Sequence, residues 1–162
     1  MPTSTFVALA TTTLSGTASS VTFSSIPATY RDLVIVFDGQ ITDTDRSACV
    51  RFNGDTGSNY SRVSTSNTAS GTISDTAFDF FYQAGANRAS AIINIMDYSA
   101  TDKHKSAITR SNQPTDYVFM YAQRWASTDA ITSITLLPMT TAFAPSSTFV
   151  AGTTISLYGI ES

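Results

Sequence analysis

This chain has little of what most catalysts and many binding proteins use. Of its 162 residues only 13% are charged, roughly half the usual share for soluble proteins. There is one cysteine (Cys49), so no disulfide forms within the chain and a thiolate-based metal site is excluded. One histidine, His104, sits between two lysines in a polar segment, which reads as surface rather than as a catalytic base. One glutamate, Glu161, is the penultimate residue, leaving only aspartates for any acid–base pair. No nucleophile elbow, P-loop or dinucleotide-binding glycine pattern occurs. These absences argue against an enzyme, and no cofactor or resident metal is expected. A net charge of −3 with scattered arginines cannot neutralise a run of phosphates, so no nucleic-acid partner is expected. The start lacks the basic and apolar regions of a secretory signal, and no apolar run approaches the 18 or so residues of a membrane span.

What is abundant points to strands. About three residues in ten are Ser or Thr, and threonine's branched Cβ suits a pleated surface. The clearest unit runs from Val21 to Asp38. Ser20 to Ser24 alternates polar and apolar, as a strand with one wet face does. Leu33 to Phe37 is five consecutive apolar residues, the pattern of a central strand covered on both faces. Further strands are expected at Phe6–Thr13, 47–52, 60–63, 77–82, 89–96, 104–110, 117–125, 131–137 and 153–160. Dense turn formers separate them, among them Asn53-Gly54-Asp55-Thr56-Gly57-Ser58-Asn59. Residues 64–75 hold so much Ser, Thr, Asn and Gly that they read as an exposed loop. No helix-period stretch of ten residues exists. The expectation is one all-β domain over residues 1–162, an antiparallel β-sandwich of jelly-roll type with about ten strands.

Few residues suggest a site. Asp43-Thr44-Asp45 and Asn53-Gly54-Asp55 place oxygen atoms at two-residue spacing, but neither supplies the rest of a calcium loop, and a tight turn explains both. Tyr121, Gln123 and Trp125 share one face of a strand, with Arg124 on the other. Exposed, they would form an aromatic platform for a glycan; aromatic alternation is more often core. Alternation puts Phe78, Phe80 and Tyr82 on one face of a strand and Phe81 on the other; these aromatics carry the same ambiguity, with a subunit interface as a further reading. Cys49 reads as a small buried residue.

Several segments resemble a family of tailed-phage virion structural proteins, of marine and cyanobacterial phage type. They are Thr22-Phe23-Ser24-Ser25-Ile26-Pro27-Ala28-Thr29-Tyr30-Arg31-Asp32-Leu33, Arg51 through Tyr60, Trp125 through Ile134, and Phe149 through Ile160. They span nearly the whole chain; residues 64–85 depart from the pattern. The resemblance implies a particle component and, for a free-standing domain of this size, a capsid decoration (cement) protein on the virion head. Its partners would be the major capsid protein and further copies of itself, as a dimer or trimer. Pro2, Thr3 and Phe6, in a segment that could be an arm or an edge strand, and Phe78, Phe80 and Phe81 are the candidate subunit or capsid contacts. The runner-up is a tail-fibre or appendage module that binds a host glycan through Tyr121, Gln123 and Trp125.

Overall fold

The structure is a computed structural model that describes residues 5–44, 46–66, 70–83, 87–114, 118–140 and 144–161. The strands are β1 (Phe6–Thr13), β2 (Val21–Phe23), β3 (Asp32–Gly39), β4 (Arg46–Phe52), β5 (Tyr60–Ser66), β6 (Ser70–Asp75), β7 (Phe78–Gln83), β8 (Ala89–Met96), β9 (Lys105–Asn112), β10 (Val118–Trp125), β11 (Ile134–Thr140) and β12 (Thr154–Ile160). All pairings are antiparallel. One sheet has eight strands in the order β1-β12-β3-β8-β9-β10-β5-β6, the other four in the order β2-β11-β4-β7. The expected β-sandwich is therefore present. The uneven division does not by itself establish jelly-roll connectivity.

Alternation builds the core. Leu33, Ile35 and Phe37 of β3 meet Ala48, Val50 and Phe52 of β4, with Phe23, Ile93, Ile95, Ile134 and Leu136 around them. Phe37 lies within 5.1 Å of both Phe80 and Phe81, centroid to centroid. Aromatic pairs at that distance favour edge-to-face or tilted packing, as here.

Three expectations are corrected. β3 is central, yet only one of its faces is fully covered: Val34 is buried but Val36 is exposed on the outer side. Residues 64–66 and 70–75, expected in an exposed loop, instead extend β5 and form β6, which pair with each other, because hydroxyl-rich alternation suits an edge strand as well as a coil. The register shift between Ala48 and Cys49 makes Phe80 an extra residue in β7, so Phe80 and Phe81 both enter the core.

Eight strands cannot lie flat over four, and the excess curls around the edge of β7. That strand touches β8, β9, β10 and β5 in turn. Gln123 and Arg62 are register partners on β10 and β5, so both project inward. Gln123 Nε2 donates to the Asp79 carbonyl on the edge of β7 at 2.7 Å, and its Oε1 accepts from Thr109 Oγ1 at 3.0 Å. Arg62 reaches further. Its Nη1 holds the Asp79 carboxylate, and its Nε lies 3.5 Å from Asp75 Oδ2. Asp79 and its partner Cys49 project from the side of the small sheet opposite Ala48 and Val50, so Arg62 clasps it from around the edge.

Cys49 Sγ donates to Asp79 Oδ1 at 3.1 Å, and burial pushes its thiol pKa far up, with the Arg62 charge opposing in part. It is a buried, protonated thiol. Burial likewise raises the pKa of Asp75, against the pull of Arg62. Removing one partner of such a cluster leaves an uncompensated buried charge. Arg62→Met should cost about 3–5 kcal/mol, read as a lower midpoint in urea unfolding, whereas Arg31→Met at an exposed pair should cost under about 1 kcal/mol.

Candidate functional site

Segments 22–33, 51–60 and 125–134 meet at one end of the sandwich, with Gly159 of β12 beside them. Asn53 (φ 52°) and Gly54 (φ 70°) occupy the left-handed region that a tight reversal after β4 requires, one which asparagine and glycine tolerate best. Asn53 Oδ1 accepts from the N–H groups of Thr132 and Ser133, while its Nδ2 donates to the Ala130 carbonyl at 2.8 Å. Asp55 Oδ1 accepts from Gly57 N, and Oδ2 from Asn59 Nδ2 and Trp125 Nε1, the last at 2.7 Å. Ile26 N donates to the Thr132 carbonyl, which brings in the first segment. The Tyr98 hydroxyl donates to the Pro27 carbonyl and accepts from Tyr30 N. Tyr30 lies flat on Gly159, where a Cβ would come within 2.4 Å of its ring.

These residues organise loops. Both Asp55 oxygens are taken by N–H donors, which is the turn-forming role and not a cation cage. Asp43 is exposed, and Asp45 lies outside the described residues. Among the described residues, no cluster of three His, Cys, Asp or Glu could hold a metal ion.

The proposed glycan platform is not a surface. Trp125 is 2% exposed, and Tyr121 and Gln123 are equally enclosed, because their face of β10 turns toward the small sheet. Trp125 packs on Phe52 and Tyr60, and Gln123 spends both ends of its amide inside the protein. Phe78, Phe80 and Phe81 are likewise core, so a contact role for them is corrected on the same ground. Phe6 is exposed, in the paired edge strand β1 and not in a free arm; Pro2 and Thr3 lie outside the described residues. His104 is exposed in the turn before β9. Lys105 is the unexpected member of that segment. It is buried opposite Trp125, and its Nζ donates to the carbonyls of Ala100, Lys103 and Thr128.

What remains open is the outer face of the large sheet. The register aligns Val34, Asn94, Ile108, Ala122 and Val63 in one row, and Val36, Ile92, Arg110 and Met120 in the next. Val118 is 61% exposed, Met120 55%, Val63 52% and Ile108 47%. A shallow concavity of about 500 Å³ lies at one end, lined by Val36, Asp38, Ile92, Arg110, Asn112 and Val118. Single exposed aliphatics are ordinary; a contiguous set on a rigid sheet is the mark of a contact surface.

Two arginines frame it. Arg31, Arg62 and Arg88 are ion-paired, and Arg46 and Arg51 bond oxygen atoms of neighbouring loops. Arg110 and Arg124 make no hydrogen bond or ion pair among the described residues. Arg110 faces Met120, four residues from Arg124 on β10, so the two cations stand about 14 Å apart along the strand. The alternation Val118-Met120-Ala122-Arg124 was visible in the sequence; its exposure follows once the aromatic face of β10 is core.

No known protein family matches the chain, and no curated protein matches it. A solved structure of similar backbone course is that of an alginate lyase, Aly36B, in a mutant form complexed with alginate trisaccharide. It is 10% identical, the alignment covers 94% of this chain and 80% of that one, and the TM-score is 0.41. A likeness at that level assigns neither activity nor substrate.

Burial alone would raise the Asp55 pKa, but the hydrogen bonds from Trp125, Asn59 and Gly57 outweigh it and hold the carboxyl below its ordinary 3.8. A folded value below the unfolded one stabilises the fold above pH 3.8, and that contribution is lost as pH falls through the lowered value. Trp125→Phe removes one donor, so NMR titration should show the Asp55 pKa rising toward 3.8.

Proposed function

We propose that this chain is a non-enzymatic structural protein of a tailed-phage particle, a decoration protein that binds the assembled head through the outer face of its large sheet. The resemblance of its loop segments to virion proteins suggests the class. The observation that carries the contact surface is the open apolar face with Arg110 and Arg124 unpaired upon it. The non-enzymatic reading is supported by the state of the reactive groups that are described: Cys49 is buried and protonated, and His104 stands alone on the surface. The glycan-binding alternative has lost the residues on which it rested, and no observation on the open face favours it.

The role needs a rigid plate with one sticky side, and the sandwich provides it. A protein that binds the closed shell but not its dissociated subunits stabilises the shell by mass action, by about 2.7 kcal/mol per site at a free concentration one hundred times Kd. The major capsid protein of the same particle is the partner, and the head surface is the location.

Expanded heads purified without this protein are the test. Wild-type protein should bind them saturably, at a fixed copy number, and raise their melting temperature. The exposed double reversal Arg110→Glu/Arg124→Glu should keep its own melting temperature and bind at least about tenfold more weakly, the loss of roughly 1.4 kcal/mol. Absence of wild-type binding, or equal binding by the reversed protein, would overturn the assignment.

A further inference from the structure

The sandwich has four sheet edges, and they are not equally protected. Unpaired edges invite another strand, and proteins usually blunt them with charge, proline, brevity or a covering group. The β7 edge is held under the large sheet through Gln123. The β2 edge is only three residues long. β6 is six residues long, shorter than β1, and its single charge, Asp75, is buried against Arg62. β1 differs from all of these. It is eight residues long, without proline or charge, and has β12 as its one neighbour among the described residues.

The lack of charge extends beyond the strand. No charged side chain occurs before Arg31, so β1, β2 and the chain between them form a side of the sandwich without a single formal charge. A slot of about 220 Å³ opens there between the sheets, lined by Leu9, Ala10, Phe23, Ile26 and Leu157. Phe6, 56% exposed, stands edge-on to Tyr158 with centroids 6.4 Å apart.

The hydrogen-bonding pattern shows which groups are available. Glu161 N donates to the Thr5 carbonyl, and Leu14 N donates to the Thr153 carbonyl. Antiparallel pairs alternate between bonded and unbonded, so Thr5, Val7, Thr12 and Leu14 face β12. The N–H and C=O groups of Phe6, Ala8, Thr11 and Thr13 then point away from the sheet. The bulge between Ala8 and Ala10 bends the edge once and leaves the stretch from Ala10 to Thr13 in regular register.

We propose that β1 pairs antiparallel with β1 of a second copy about a twofold axis, joining the two large sheets edge to edge. The charge pattern selects the occupant. In a twofold interface residue i meets residue j while j meets i, and only the residues at the axis meet their own kind. A strip of one charge sign would repel itself, and an uncharged strip avoids that penalty. The outer face, with two unpaired arginines, is unsuited to self-association for the same reason and stays free for a different chain. A strand added beyond β1 also extends the large sheet over the slot beside β2 and removes its apolar lining from water. The geometry selects a dimer: closed twofold pairing uses both β1 edges.

The test needs only the isolated protein, so its outcome is independent of the head-binding assignment. Sedimentation velocity of the wild type should give a dimer at the highest soluble concentration. Thr11→Lys/Thr13→Lys adds charges at two exposed positions whose hydroxyls reach only Ser156 and Thr154, and should give a monomer with unchanged circular dichroism. Hydrogen exchange on the wild type supplies a reading that needs no variant. Amides of Phe6, Ala8, Thr11 and Thr13 should be protected in concentrated solution and lose protection on dilution, while Val7 and Thr12 remain protected in both. A monomeric wild type, a dimeric lysine variant, or concentration-independent exchange at those four amides would overturn the proposal.

Discussion

The arrangement depends on one clasp, the hold of Arg62 on Asp79 around the edge of β7. A sheet of eight strands facing a sheet of four must either expose its inner surface or bend over the smaller partner. The bend puts polar groups of β9, β10 and β5 against the edge and far side of β7, where water is excluded. Arg62, Gln123, Thr109 and Cys49 satisfy those groups together. Buried charge of this kind is poor evidence for extra stability, since well-packed apolar residues often do as well. Its consequence here is register. Gln123 holds a backbone carbonyl and Arg62 a side chain on the same residue, so a slip of β7 by one position would break both.

The adjoining loop end is held by neutral donors around one half-buried carboxylate, that of Asp55. Asn53 makes three or more hydrogen bonds with residues 130–133, Asp55 binds its own turn and Trp125, and Tyr98 joins the Pro27 corner to Ile131. This is why the most recognisable segments of the chain prove to be scaffold. Their residue types are dictated by backbone geometry and loop docking, which any protein with this end must reproduce. They say nothing of contact chemistry.

What the clasp and the loops leave uncovered is the outer face and the edges. The curl covers most of the inner face of the large sheet and leaves the outer face without a layer among the described residues, so Ile108, Val118, Met120, Arg110 and Arg124 are exposed there. The same division leaves β2 short, β7 held, β6 shorter than β1, and β1 the longest edge, without charge. A charged apolar face and an uncharged edge are chemically different surfaces, suited to different occupants.

Much of the fold was legible beforehand, since strand periodicity and turn chemistry are local properties. The runs at 6–13, 89–96 and 153–160, the turn at Asn53-Gly54 and the buried state of Cys49 all followed from neighbours within a few residues. Which side of a strand is covered is not local. Leu33 to Phe37 reads as covered on both faces because valine suits a strand whether or not water touches it, and only sheet stacking leaves Val36 outside. Phe81 reads as facing away from Phe80 until a bulge opposite Ala48 turns both inward. Trp125 and Gln123 resemble a binding platform in sequence, and packing against Phe52 and Asp79 makes them core. Sequence alone determined that this is an all-β chain poor in reactive groups, because composition and period are written residue by residue. Tertiary structure alone decided where its surfaces are, because burial is a property of two sheets meeting and no strand carries it by itself.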